Sequence, residues 1–259
     1  MIECSGILDQ PQFMENITYL TSLKRFSFGR NIRTLQALEK LPNLETLHLP
    51  QLPVSSFGVG NESITRLSQL RSLSVDILIE PATKEIVTMT NLMTVIAPGW
   101  NVYEPIKNMH SLEYLAAKSI RVTYLPHNLT YLCTPWAFVL TPWLTQITSY
   151  EGDLFDKKQL NLFNVNSNIT HLSLSATGFT YPLLTMLTNL KSLSVAVAPD
   201  LADYPAELFL NTFHKMTSLR RIEFTVSNSQ SSFDIAAKLP LKNVVVTTKR
   251  KAVKFSRLY

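Results

Sequence analysis

Two scarcities narrow the reading before any motif is sought. The 259 residues include only two cysteines, Cys4 and Cys133, too few and too far apart for a disulfide framework or a thiolate metal site. A reducing compartment, cytoplasm or nucleus, is the expectation. Long apolar runs are also missing: no stretch approaches about 18 uninterrupted apolar residues, the length of a membrane span. The opening MIECSGILDQPQF lacks a basic segment followed by an apolar one, so no classical secretion leader is expected. The chemistry-bearing motifs H-E-x-x-H, C-x-x-C, G-x-S-x-G and the phosphate loop are absent as well. FGVGNES, Phe57 to Ser63, has two glycines but neither the third glycine nor the lysine of a phosphate cradle, and it reads as a loop. His48, His110, His127 and His214 stand far apart without metal-ligand spacing. No cofactor, no metal and no enzymatic activity are expected.

What the chain does hold is apolar content of 46%, ample for a buried core at this length. Its net charge of +5 is unevenly placed. Lys238, Lys242, Lys249, Arg250, Lys251, Lys254 and Arg257 put +7 into the stretch from Lys238 to Tyr259, which contains no acid, so the rest carries −2. The basicity belongs to a tail, KRKAVKFSRLY, for which a solvated end is the plain reading. A nuclear-import-like cluster and a contact with a polyanion or anionic membrane are the alternatives. N-x-S/T sequons occur at Asn16, Asn61, Asn128 and Asn168; in so Ser/Thr-rich a chain they arise by chance, and Asn128 and Asn168 directly precede apolar strand positions.

The dominant signal is a repeat. The stretches NLETLHLPQL (Asn43 to Leu52) and NITHLSLSAT (Asn168 to Thr177) share the pattern φ-x-x-φ-x-φ, with φ apolar. Aligned on the first φ, the pattern recurs at Leu23, Leu44, Leu70, Leu92, Leu112, Leu129, Leu144, Ile169, Leu190, Leu219 and Leu241. Successive starts are 21, 26, 22, 20, 17, 15, 25, 21, 29 and 22 apart in the numbering. A period near 22 is the mark of a stacked solenoid, in which each coil offers apolar side chains that only its neighbours can bury. Segments such as NIRTLQALEKLP, NESITRLSQL and YPAELFLNTFHKM predict short helical return connections. The short intervals, which contain Pro126, Pro135 and Pro142, predict extended ones.

The pattern resembles the leucine-rich repeat proteins, from about Leu20 onward. The resemblance implies an α/β solenoid: a curved parallel sheet on the concave side, with short helices or irregular segments on the convex side. The array is expected over residues 1–248 and a basic tail over 249–259. One departure stands out. The family places asparagine eight residues after the first leucine; here only Asn31 occupies that place, and Leu52, Leu78, Trp100, Ile120, Ala137 and Thr177 are among the others. Stepping back from Leu23 by the interval that separates it from Leu44 reaches Ile2, so Ile2/Ser5/Ile7 reads as a degraded twelfth copy with a frayed strand.

Because side chains alternate along a strand, positions one, four and six point inward and positions three, five and seven outward. The outward set is mainly small and polar, apart from Tyr114, Tyr131 and Tyr150, with Trp136 beside them. Trp100 and Trp143 are read as fillers of core gaps. Tyrosine and tryptophan are enriched where surfaces become interfaces. A protein partner is therefore expected at Tyr114, Tyr131, Tyr150, Trp136, His48, His171, Arg221 and Glu223. Cys133 and His171 share this face but fall two coils apart, roughly 10 Å, too far for a nucleophile and its base. The resemblance implies a non-catalytic scaffold; the alternatives are a substrate-recognition part of a ubiquitin-ligase complex, a pathogen effector, or binding to nucleic acid or an anionic surface through the tail.

Overall fold

The computed structural model describes residues 2–4, 16–28, 36–53, 64–78, 82–103, 106–122, 124–134, 146–153, 168–176, 181–197, 211–212, 215–226, 244–249 and 252–257. The chain forms two compact units, Met1–Leu129 and Thr130–Tyr259. Both are built mainly from parallel strands taken in chain order, the α/β solenoid of leucine-rich repeat type that the repeat calls for, and the second ends in an antiparallel hairpin.

In the first unit the strands are β1 (Ile2–Cys4), β2 (Arg25–Phe28), β3 (Thr46–Pro53), β4 (Ser72–Ile77), β5 (Thr94–Val102) and β6 (Tyr114–Ile120). Each pairs in parallel with the next. The fourth motif position runs in one row across the sheet, through Phe26, Leu47, Leu73, Val95 and Leu115, and every one of these is at most 1% exposed. Position one lies beneath it, with Leu44, Leu70, Leu92 and Leu112 fully buried. Burying a leucine-sized side chain is worth about 1.5–3 kcal/mol, and here each side chain is dried by the coils on either side.

Two ladders run beside this row. The backbone carbonyl at position two accepts from the next coil's positions two and three: Glu45 N and Thr46 N donate to Lys24 O at 2.8 and 2.9 Å, and Arg71 N and Ser72 N to Glu45 O at 2.8 and 3.0 Å. The second ladder is made by side chains immediately before position one. Asn43 Nδ2 donates to Thr21 O (2.8 Å), Gln69 Nε2 to Leu41 O (3.0 Å), Asn91 Nδ2 to Ser68 O (3.0 Å) and Asn128 Nδ2 to His110 O (2.7 Å). These amides satisfy turn carbonyls that have no strand partner. Eight residues after the first leucine, where the family carries asparagine, Leu78, Trp100 and Ile120 are at most 3% exposed, so that place is apolar core. Trp100 fills the core as expected.

The return connections are short. Among the described residues they include α1 (Gln36–Glu39), α2 (Ala82–Ile86) and single 3-10 turns at Ile64–Arg66 and Ile106–Asn108 in the first unit, and a 3-10 helix at Tyr181–Met186 in the second. No helical turn occurs among the described residues after Ile120 up to Leu129, where the motif starts Leu112 and Leu129 stand close together and Pro126 intervenes. The predicted helix start at Pro205 lies outside the described residues, as does Trp143. At the N-terminus Ile2 pairs with Phe26 and Cys4 with Phe28. Ile2 therefore stands at position four rather than one; Ser5 and Ile7 lie outside the described residues.

The second unit opens with β7 (Tyr131–Thr134), β8 (Ser149–Asp153), β9 (His171–Ala176), β10 (Ser192–Val197) and β11 (Arg221–Val226). The four pairings that join β7, β8, β9, β10 and β11 in that order are parallel. It departs from the expected register at one coil. Tyr150, not Ile147, pairs with Leu132 on one side and Leu172 on the other; Ile147 and Tyr150 are 0% and 2% exposed. The motif of this coil is Ile147/Tyr150/Gly152, three residues later than the Leu144/Ile147/Ser149 expected from the pattern. The starts Leu129, Ile147 and Ile169 are more evenly spaced than Leu129, Leu144 and Ile169. A tyrosine at position four takes more room than a leucine, and Gly152 two residues on leaves that room. A Cβ there would meet the Thr134 carbonyl oxygen and lie 2.7 Å from Tyr150 Oη.

The final repeat is not a parallel coil. β12 (Val244–Lys249) and β13 (Ala252–Arg257) form an antiparallel hairpin, and β13 is the strand that pairs with β11, also antiparallel. Only two residues separate β12 from β13, which excludes the long crossover that a parallel pair requires. Within the basic tail Lys249 and Ala252–Arg257 are strand, and the backbone of β13 supplies partners to an edge of β11 that would otherwise be unpaired.

Gly152→Ala should destabilise the protein by about 1–3 kcal/mol in urea unfolding, because the added carbon has backbone on one side and the buried tyrosine on the other. A change below about 0.5 kcal/mol would contradict the packing described for this coil.

Candidate functional site

With positions one, four and six buried, the outward side chains of each unit line one face of its sheet. In the first unit position three carries Arg25, Thr46, Ser72, Thr94 and Tyr114, and position five carries Ser27, His48, Ser74, Ile96 and Ala116. Only Ala116, at 7%, is buried among them. Tyr114 is half-buried and His48 exposed, so both are outward as the alternation predicts.

In the second unit position three carries Tyr131, Ser149, His171, Ser192 and Arg221, in register across the strands. Position five carries Cys133, Glu151, Ser173, Ser194 and Glu223 in the same way. The corrected coil places Ser149 and Glu151 on this face where the pattern alone placed Gln146, Thr148 and Tyr150. Tyr150 is therefore withdrawn from the outward set: its ring is core. Trp136 lies outside the described residues.

The face of the second unit has a low floor between two reactive-looking ends. The floor is serine: Ser149, Ser173, Ser192 and Ser194. At one end Tyr131 Oη donates to Glu151 Oε2 at 2.7 Å, diagonally across adjacent strands, while on the middle strand the exposed His171 has its Nδ1 2.8 Å from Thr170 Oγ1. At the other end Arg221 Nη2 meets Glu223 Oε2 at 3.3 Å, two residues along one strand. Such exposed pairs add about 0–1 kcal/mol to stability. Their effect is to hold a phenol, a carboxylate, an imidazole and a guanidinium at fixed places on a sheet.

None of this assembles into a nucleophile. Cys133 pairs in register with Glu151, and its thiol is pushed up to about 11, first by burial and then by the charge of Glu151. A thiolate is the reactive form, and it is disfavoured here. His171 stands on β9, with β8 between it and Cys133. Among the described residues no group of three or more His, Cys, Asp or Glu could hold a metal ion, and no helix is long and apolar enough to cross a membrane.

Sequence reasoning missed Glu151, because the register of its coil was displaced. The signal was present in the spacing, since Ile147 divides the distance from Leu129 to Ile169 more evenly than Leu144 does. It also missed the amide ladder, although asparagine precedes the first apolar residue at Leu44, Leu92, Leu129, Ile169 and Leu190.

No protein-family model matches the chain, and no curated protein matches it. Among solved structures the chain is similar to an internalin C2 from Listeria monocytogenes, at 13% identity and a TM-score of 0.34, over 87% of this chain and 100% of that one.

Alkylation of Cys133 by iodoacetamide, followed by peptide mass analysis in the folded protein, should be slow at pH 7–8 and rise only as pH climbs toward about 11. Rapid labelling at pH 7 would show that the thiol is ionised and that the surroundings described for it are wrong.

Proposed function

We propose that the chain belongs with the leucine-rich repeat proteins and works as a non-catalytic scaffold, recognising a protein partner on the outward face of its sheet. The observation that carries this reading is the alternation itself. Inward residues are spent wholly on stacking, so the outward rows are free to vary without cost to the fold. Those rows are mainly small and polar; the larger groups are Arg25, His48, Ile96 and Tyr114 in the first unit and Tyr131, Glu151, His171, Arg221 and Glu223 in the second. Tyrosine offers broad contact area with few rotatable bonds, and arginine offers a planar fork of donors; both concentrate binding energy. His48 extends the set in the first unit. The raised thiol and the separation of Cys133 from His171 speak against acyl-transfer chemistry on the same face.

The test is affinity capture with partner identification, followed by titration of that partner against variants. Tyr114→Ala and Tyr131→Ala should each weaken binding by about 1 kcal/mol or more with little change in folding. Tyr150→Ala should behave oppositely, lowering stability by about 3–5 kcal/mol as a buried aromatic. If both outward variants bound the identified partner as tightly as the parent, the outward-face reading would be abandoned.

A further inference from the structure

The hairpin that closes β11 opens an edge of its own. The strand order of the second unit ends β11, β13, β12, and among the described residues β12 pairs with β13 alone. In an antiparallel pair alternate residues turn their N–H and C=O toward the partner strand and the others turn them away. Every second residue of β12 therefore directs a donor and an acceptor sideways, away from β13. Sheet edges are usually blunted by proline, by a bulge or by extreme shortness. β12 has none of these: its six residues, Val244 to Lys249, pair with Arg257 back to Ala252 without a break in register. All of them but Lys249 are β-branched, the type that favours an extended strand. The one blunting device present is Lys249 itself, next to the turn, and a charge at one end selects partners rather than excluding them.

Charge decides what such an edge accepts. The stretch from Lys238 to Tyr259 carries +7 and no acid, and within the hairpin strands the charged residues are Lys249, Lys254 and Arg257. The acid that stands in register with them is Glu223 on β11, opposite Lys254, with β13 between it and the open edge. A second copy of the chain would bring the same positive charge to the same edge and be repelled. A nucleic acid would meet the charge, but it lacks the backbone donors and acceptors that repeat at strand spacing. An extended polypeptide with acidic side chains satisfies both requirements.

We infer that the open edge of β12 is a docking site for an extended acidic segment of a partner protein, which joins the sheet as a further strand. Main-chain hydrogen bonds to β12 supply affinity, and carboxylates facing the basic hairpin supply selection. The site lies at the end of the strand order, so it is separate from the outward face and its test does not depend on that face.

Titration of the whole protein with a capped synthetic peptide alternating glutamate and valine, followed by amide chemical shifts and hydrogen exchange, tests it. Saturable binding is expected, with new protection at alternate residues of β12 and weakening as ionic strength rises. The same peptide with its central valine replaced by proline keeps the charge but loses a ladder donor, and should bind about twofold to tenfold more weakly. A peptide with lysine in place of glutamate should not bind. Lys249→Gln should weaken binding by about twofold to fivefold, the scale of one exposed charge. Val246 and Thr247 are neighbours, so one turns its N–H to β13 and the other to the open edge. Of Val246→Pro and Thr247→Pro, one should lose the hairpin, and the other should keep it and lose peptide binding; if both unfold, the proline-containing peptide decides. The inference fails if no amide of β12 gains protection, or if the proline-containing peptide binds as tightly as its parent. It fails equally if oligothymidylate gives the same shifts at lower concentration, which would make the tail a polyanion site. Protection of β12 by self-association without peptide would assign the edge to a second copy and also overturn it.

Discussion

Everything in this protein depends on the fact that one coil cannot bury its own inward side chains. Leu47, Leu73 and Val95 in the first unit, and Tyr150, Leu172 and Leu193 in the second, are each at most 3% exposed, and each lies between the strands that pair before and after it. A coil alone would leave that surface wet, so stacking supplies both the stability and the register. The carbonyl of position two, accepting from two successive amides of the next coil, then fixes the vertical offset between neighbours. With offset and inward face both fixed, the outward face has no remaining freedom of position, only of chemistry.

That separation leaves the outward rows free to differ in chemistry from coil to coil. In the second unit, four serines form the floor, with the phenol and one carboxylate at one end, the guanidinium at the other and the imidazole on the middle strand. In the first unit the same rows carry threonine and serine, with Arg25, Tyr114, His48 and Ile96 as the larger groups. Substitutions in these rows leave the core untouched. Position two follows the same logic: it is held by its backbone, so its side chain can be Glu45 in one unit and Lys191 in the other.

The spacing of leucines made the solenoid and most of the outward rows legible, because inward leucines recurring at so steady a period fit few architectures besides a stack of coils. Legibility failed where the inward residue was not aliphatic. Tyr150 looks like an exposed aromatic by composition, and Leu144 looks like a better start to its coil than Ile147; the deciding feature, Gly152 making room for a buried ring, belongs to packing. It failed again at Val244, Val246 and their neighbours, since alternation with period two is the same in parallel and antiparallel strands. There the deciding feature is the two-residue separation from the next strand. At Ile2 the displacement was three residues, because Ile2 and Cys4 fit positions four and six as well as one and three. The amide ladder was written in the sequence all along, one residue before the place where the pattern was sought.

The central claim is that inward register, carried from coil to coil, determines which residues face outward. Cross-strand nuclear Overhauser contacts around β8 test it most directly. The account predicts backbone contacts linking Tyr150 with Leu132 and with Leu172, and Glu151 with Cys133 and with Ser173. Contacts that instead linked Ile147 with Leu132 and Leu172 would place Tyr150 outward, remove Glu151 from the face and contradict the account.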